Sequence, residues 1–289
     1  KSEAGKSGLD YLVKRGLSDK TINSFGLGYA PQSTGELYRM LKDKGYDDGI
    51  LKESGLFTYE KGVRDKFWNR VIFPIMDINN KVIGFGGRVM GDAKPKYLNS
   101  PETKLFDKSR NLYGLNAART ARKNNLIICE GYMDVISLHQ AGFTQAVASL
   151  GTALTPGHAR LMKRYTDNVL ITYDSDEAGV KAALRAIPIL KEAGLSTRVI
   201  NMRPYKDPDE FIKALGAEAF HSFMYEIGII EKNYNRSDPE GETSFEKEVA
   251  SRLVVFKEKL ERENYLKAVC RQYMIPEDGM RDMVIRLGS

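Results

Sequence analysis

From about residue 124 onward, short apolar runs alternate regularly with longer amphipathic ones. Residues 126–129, 145–149, 168–173 and 197–202 have the length and β-branching of buried strands, while 132–141, 155–165, 177–193 and 207–220 carry the period of helices. That alternation predicts right-handed βαβ units around a parallel sheet flanked by helices, an α/β domain. Upstream the pattern differs. Residues 9–15, 35–44 and 48–53 read as short helices, each stopped by a glycine: Gly16, Gly45 and Gly55. Residues 70–77 and 81–88 then flank Ile78-Asn79-Asn80, a hairpin signal in which Pro74 is expected on an edge strand or at a bulge. A loop marked by Gly, Pro and Asn covers 91–102, and a helix from 114 to 123 is expected to lead out. Beyond about residue 230 a polar stretch (233–244) gives way to an amphipathic run over 245–273, with Val249, Leu253, Phe256 and Leu260 at helical spacing. The expected division is a mixed α+β subdomain over 1–123, an α/β domain over 124–212 and a helical subdomain over 213–289.

Composition narrows the class. The 289 residues, 42% apolar, suffice for two or three real cores. No run approaches a membrane span and no signal peptide opens the chain, so no membrane partner is expected. The first residue is Lys1 rather than Met, as expected for a piece of a longer protein. Two distant cysteines, Cys129 and Cys270, suit a reducing cytoplasm and leave no cysteine-based zinc ribbon in this sequence. The net charge of +6 is unevenly placed: 1–60 balance, 61–123 carry +9 and 124–289 carry −3. The basic segment includes the donor-rich loop of Lys94, Lys96, Tyr97, Asn99 and Ser100, with Lys104, Lys108 and Arg110 behind it. A basic surface ahead of an acidic stretch suits a polyanion held by one part while chemistry occurs in the other.

The acidic residues fall at particular places. Glu130 and Gly131 follow the first strand, with Asp134 one helical turn on. Asp174 and Asp176 follow the third, and Asp207 and Asp209 open the helix after the fourth. In a parallel sheet those strand ends share one edge, so all six carboxylates are expected to converge there. Like charges so gathered are unfavourable unless cations neutralise them. Hard oxygen donors without a Cys/His set point to Mg²⁺ or Mn²⁺, and two ions roughly 3.5–4 Å apart suit phosphoryl transfer. The plainer alternative is that each Asp only caps its helix. Cys129 is expected in the core, His139, His158 and His221 as structural or surface residues, and Trp68 beside Phe67 as packing.

Longer stretches carry a family likeness. Tyr11-Leu12-Val13-Lys14-Arg15-Gly16-Leu17-Ser18, 70–75, Ile83-Gly84-Phe85-Gly86-Gly87-Arg88, 95–103, Glu130-Gly131-Tyr132-Met133-Asp134, 148–152 and Tyr173-Asp174-Ser175-Asp176 together resemble the catalytic core of bacterial DnaG-type primase. The acidic part resembles the toprim module that primases share with topoisomerases and certain nucleases. The likeness runs over roughly 8–220. It implies a toprim-type parallel sheet and DNA-directed RNA polymerase activity: RNA primers made from ribonucleoside triphosphates on single-stranded DNA, in the bacterial cytoplasm. It further implies two or more Mg²⁺ or Mn²⁺ ions on Glu130, Asp174 and Asp176, with Asp134, Asp207 and Asp209 completing the acidic set. Arg15, Arg88, Lys94, Lys96, Tyr97, Asn99 and Lys108 would then touch nucleotide, template or primer. The family's zinc-binding and helicase-interacting domains have no counterpart in these residues, so unaided initiation and the replicative helicase partner are expected to depend on them. DNA cleavage by the same acidic module, or a binding or nucleotide-sensing module without turnover, are the other readings.

Overall fold

The computed structural model describes residues 3–60, 62–200, 202, 205–220, 234–254, 256 and 259–288; His221 lies outside them. The chain divides into two compact units: Lys1–Tyr173 with Lys181–Arg198, and Asp174–Val180 with Val199–Ser289. The expected 1–123 and most of 124–212 thus fall in one unit.

The first unit opens with helices α1 (Lys6–Lys14) and α2 (Asp19–Ser24), strand β1 (Gly28–Ala30), helices α3 (Glu36–Asp43) and α4 (Asp48–Glu53) and the small ribbon β2 (Phe57–Thr58) and β3 (Arg64–Asp65). Side chains start these helices. Ser18 caps α2, Asp47 caps α4, and the buried Asp65 accepts the Leu37 and Tyr38 amides at the first turn of α3. Sequence patterning passed over α2, β1 and the ribbon, all too short to show a period. The expected hairpin is present as β4 (Arg70–Met76) and β5 (Val82–Val89), paired Arg70↔Val89 to Pro74↔Phe85, and β6 (Tyr97–Asn99) completes an antiparallel sheet of order β1-β4-β5-β6. Pro74 therefore sits in an interior strand rather than on an edge. It is tolerated because β1 reaches only as far as Ile72, leaving no ladder bond for Pro74 to lose on that side, and because the register shifts just beyond it, at Ile75/Met76.

The second sheet of this unit is built as the alternation predicted. Strands β7 (Leu126–Cys129), β8 (Ala146–Ala148), β9 (Asn168–Ile171) and β10 (Ser196–Val199) lie in the order β10-β9-β7-β8, with β7 parallel to both β8 and β9. Helices α6 (Tyr132–Gln140), α7 (Pro156–Lys163) and α8 (Glu177–Glu192) connect them. All four residues of β7 are buried, Cys129 included. One core joins Ile128, Val147, Val169 and Ile171 of the strands to Met162 of α7 and Ala186 and Leu190 of α8. The expected helix over 114–123 is only α5 (Leu115–Ala118). It ends in turns, and Arg122 takes a left-handed backbone (φ 50°) that no helix continues through. His139 and His158 are structural, as expected. The buried His158 ring hydrogen-bonds the Lys108 and Asn111 carbonyls at 2.7 and 3.1 Å and so ties that loop to α7. Trp68 is 39% exposed, against the expectation of packing, because Phe67 takes the interior place beside it.

The second unit is helical: α9 (Pro208–Leu215), the single turn α10 (Ala217–Ala219), α11 (Pro239–Leu253), α12 (Lys259–Tyr273) and α13 (Glu277–Gly288). The expected helix over 207–220 is broken by Gly216, at φ 82°. The single run expected over 245–273 is two helices. Its stripe loses phase between them, so Val249 and Leu253 are buried while Leu260 is 75% exposed. Arg236 stacks on Phe245 (4.6 Å to the ring centroid) and forks onto Glu242, closing this core on one side.

Within the first unit the two sheets are joined through Tyr132. Its ring stacks on Phe73 at 5.0 Å, and its hydroxyl donates to Asn99 Oδ1 at 2.7 Å. The approach requires Gly86, since a Cβ there would stand 2.4 Å from the Tyr132 ring. Gly86→Ala is expected to destabilise the unit by about 1–3 kcal/mol through overpacking. Gly28→Ala, which meets nothing within 4 Å, should stay within about 0.5 kcal/mol. Urea unfolding midpoints of the two variants check this.

Candidate active site

The carboxylates are best taken unit by unit. In the first, Glu130 is exposed immediately after β7. The β7–β9 ladder continues past the strands, with the Thr172 amide donating to the Ile128 carbonyl at 2.9 Å, so both strands end on one edge. Tyr173 sits near Cys129 and Glu130. Burial first, then those two neighbours, push its phenol well above the ordinary tyrosine range. A cleft of about 320 Å³ on this edge is lined by Glu130, Ser149, Thr152, Tyr173 and Arg185. Asp134, by contrast, is buried and turned back on its own helix, where Oδ2 accepts the Gly131 amide at 3.1 Å.

In the second unit, Asp174 leads. Its carboxyl is raised by burial, then by the charges of Asp207 and Asp176, while Lys206, 3.5 Å from Oδ2, pulls it back. The Ser175 amide donates to the Lys206 carbonyl at 2.7 Å, which holds the two loops together. Asp176 accepts the Gly179 amide at 2.9 Å at the start of α8, and Asp207 caps α9 through the Glu210 amide at 2.8 Å. Asp209 is buried and paired with Lys213 at 2.7 Å. The capping role weighed against catalysis is therefore real for Asp134, Asp176 and Asp207. Among the described residues, no three Asp, Glu, His or Cys side chains already stand as a metal centre. The donor set still fits a hard divalent cation. It is all carboxylate, and the burial and like-charge cost on Asp174 is one that a cation removes.

The basic residues form a second group in the first unit. Arg88 and Tyr97 are direct cross-strand partners on β5 and β6, and the Arg88 guanidinium lies 4.3 Å from the centroid of the Tyr11 ring. Burial pushes the Tyr97 phenol up to about 12; Tyr11 and Asp134 add to the rise, and Arg88 and Arg15 oppose it. Arg15, Arg88, Tyr97 and Asp134 are thus near one another. Lys94 and Lys96 are exposed on the adjoining loop. That loop is held by a residue the sequence reading overlooked: the buried Arg70, whose Nη1 donates to the Gly87 and Pro95 carbonyls at 3.1 and 3.0 Å. The Lys108 backbone is fixed at both ends, by Glu102 and His158, and its charge adds to burial in lowering the ammonium pKa of a further missed cation, Lys66. Asn99 differs from the others. Its carboxamide bonds Tyr132 and the Leu150 carbonyl (2.8 Å), so its polar atoms serve the seam between the sheets. Arg185 was also missed; its one sequence signal was a cation on the helix that follows Asp174-Ser175-Asp176.

Capping and charge can be separated at Asp176. Asp176→Asn keeps a capping oxygen and should change unfolding free energy by a few tenths of a kcal/mol, whereas Asp176→Ala should cost about 1 kcal/mol. Chemical denaturation of the two variants decides it.

Comparison with known proteins gives a consistent result. A family model described as the DNA primase catalytic core, N-terminal domain, matches residues 1–119, and a toprim-like model matches 127–212. A DNA primase of Clostridium acetobutylicum is 45% identical over 284 residues, covering 95% of this chain and 48% of the relative. One of Deinococcus radiodurans is 48% identical over 212 residues, covering 71% and 37%. This chain thus spans about half the length, or less, of these curated relatives. A solved DnaG catalytic core is 34% identical and superposes with a TM-score of 0.71, covering 97% of this chain and 94% of its own. A DnaG primase catalytic domain bound to single-stranded DNA is 33% identical at TM-score 0.71, covering 96% and 92%.

Proposed function

Because this chain belongs to the family of bacterial DnaG-type primase catalytic cores, we propose that it polymerises ribonucleotides into RNA primers on single-stranded DNA. The observation that carries this is the order of parts. A basic module is followed directly by a toprim-like module with Glu130 at one strand end and Asp174-Ser175-Asp176 after a parallel strand paired with it. The reaction is nucleotidyl transfer: a ribose 3′-hydroxyl attacks the α-phosphorus of an incoming triphosphate and pyrophosphate leaves.

In this reading Glu130, Asp174 and Asp176 hold Mg²⁺ or Mn²⁺. Bound there, the ions would supply the positive charge that a phosphoryl transfer requires. The caps at Asp176 and Asp207 fix carboxylate direction, and Lys206 opposes the rise that burial and the neighbouring carboxylates impose on the Asp174 carboxyl. Asp134 orients the turn that carries Glu130, and Asp209 stays neutralised by Lys213, so both act by positioning. Arg15, Arg88, Lys94, Lys96 and Lys108 supply charge-assisted hydrogen bonds to phosphates, and the 40%-exposed Tyr97 offers a ring edge or face to a base. Asn99 enters only through the loop it holds. The DnaG primase catalytic domain solved bound to single-stranded DNA supports a template of that kind.

The test is incorporation of labelled ribonucleoside triphosphate on single-stranded DNA and on a preformed primer–template, with Mg²⁺, Mn²⁺ or EDTA. Template- and metal-dependent RNA is expected, abolished in Asp174→Ala and reduced at least tenfold in Lys96→Ala. A folded protein that extends no primer with either metal, or an Asp174→Ala variant as active as the parent, overturns the proposal. Metal-dependent loss of the DNA itself would move the assignment to cleavage.

A further inference from the structure

Helix α1 and the residue that ends it place Gly8, Tyr11, Leu12 and Arg15 at the i, i+3, i+4, i+7 spacing of one helical face. Gly8 lets the helix approach β1, since a Cβ there would stand 2.8 Å from Tyr29, and Leu12 is buried beside it in the chain. The Arg15 amide continues the turn by donating to the Tyr11 carbonyl at 3.0 Å. Docked in this way, α1 brings the Tyr11 ring to the Arg88 guanidinium of β5, 4.3 Å from the ring centroid.

Little else in the protein holds that guanidinium. Nη1 donates to the Val89 carbonyl at 3.1 Å, and Nε is buried with no hydrogen-bond partner. Among the described residues, Arg88 forms no ion pair and Nη2 has no partner. A guanidinium kept partly buried without a carboxylate is costly to the fold. Its neighbours do not neutralise it. Burial pushes the phenol of the cross-strand Tyr97 up to about 12, so it stays uncharged at neutral pH. Asp134, the carboxylate of this neighbourhood, accepts the Gly131 amide. The Tyr11 hydroxyl is itself buried with no partner, so the contact with Arg88 uses the ring and not the hydroxyl. An aromatic face fixes a guanidinium without cancelling its charge, as a carboxylate would.

We propose that Tyr11 is a positioning residue: its ring seats the Arg88 guanidinium, charged and unpaired, where Arg88 meets a phosphate of the nucleic-acid backbone or of the triphosphate. This rests on the reading of Arg88 as a phosphate contact, and Tyr11 acts through Arg88 alone.

The test is a double-mutant cycle, read as Kd for a fluorescent single-stranded oligothymidylate and as KM for ribonucleoside triphosphate in primer extension. The oligonucleotide arm stands even where no primer is extended. Tyr11→Leu is expected to weaken one or both about fivefold, the weight of a partly desolvated cation–π contact. A change in Kd alone assigns the phosphate to the template, and a change in KM alone assigns it to the triphosphate. Tyr11→Phe, which keeps the ring and loses only the unpaired hydroxyl, should recover most of the loss. In an Arg88→Ala background, Tyr11→Leu should change neither quantity by more than about twofold, whereas a merely loosened helix would lose as much as with Arg88 present. Equal losses in both backgrounds, a Tyr11→Phe variant as weak as Tyr11→Leu, or a Tyr11→Leu variant that matches the parent in Kd and KM overturns the proposal. If Arg88→Ala alone leaves both quantities unchanged, the phosphate reading of Arg88 falls together with it.

Discussion

The first unit depends on one close approach, that of Tyr132 to the antiparallel sheet. Tyr132 is the first residue of α6 and follows Glu130-Gly131 directly, so whatever fixes its ring also fixes the turn on which Glu130 stands. Three kinds of interaction hold it. The ring stacks on Phe73 and meets Tyr113 edge-on at 4.7 Å; the hydroxyl bonds Asn99; and Gly86 offers the bare backbone that lets the ring in. Asn99 then passes the connection on to Leu150, beside the cleft that Glu130 lines. A single aromatic residue therefore couples the sheet bearing Arg88 and Tyr97 to the one bearing Glu130. A basic module and an acidic one are useful together only if the distance between phosphate contacts and reacting atoms is fixed.

Charge sets the second constraint. Asp174 is held where burial and two neighbouring carboxylates work against its ionisation, with Lys206 working for it. Such an arrangement is uneconomical for a structural carboxylate, since one replaced by Asn would hold the same loop without repulsion. It makes sense where the negative charge itself is wanted. Lys206 shows the reciprocal effect: Asp174 is the first cause raising its ammonium pKa.

Much of this was legible beforehand, and the failures have physical causes. The alternating β-branched runs and amphipathic stretches located β7 to β10 and α6 to α9 to within a few residues, most sharply at β7 and β8, which are buried throughout. The edge strand β10 is exposed or half-buried and was found from its place in the alternation. Glycine stops located α3 and α4 for similarly local reasons. What sequence patterning could not see depends on tertiary neighbours. Pro74 in an interior strand is allowed by the shortness of β1 and the register shift just beyond it. The tail's apolar stripe was traced through Leu260, but a break between two helices reset the phase. Among the site residues, the carboxylates stood out because strand ends are readable. Arg70, Lys66 and Arg185 did not, since a lone cation on a strand or helix carries no spacing signal. Asn99 was read as a contact to nucleic acid from its place in a donor-rich loop, and only the fold reveals that Tyr132 and Leu150 already use its carboxamide.

The capping of α8 and α9 by Asp176 and Asp207 was set against catalysis in the sequence reading, yet the two roles are compatible. A carboxylate has two oxygens and about four acceptor directions, so one amide bond leaves most of its coordinating capacity open while removing its rotational freedom. The cap also places the negative charge at the positive end of a helix macrodipole, which lowers the cost of holding charge there when no cation is near. For any proposed site that gathers several carboxylates around a metal, helix caps are among the cheapest places to put them. The same reasoning separates Asp209 from the set. Buried to 4% exposure and held by Lys213 from the next turn of its own helix, it has a cation already, and its charge is directed into the structure rather than out of it.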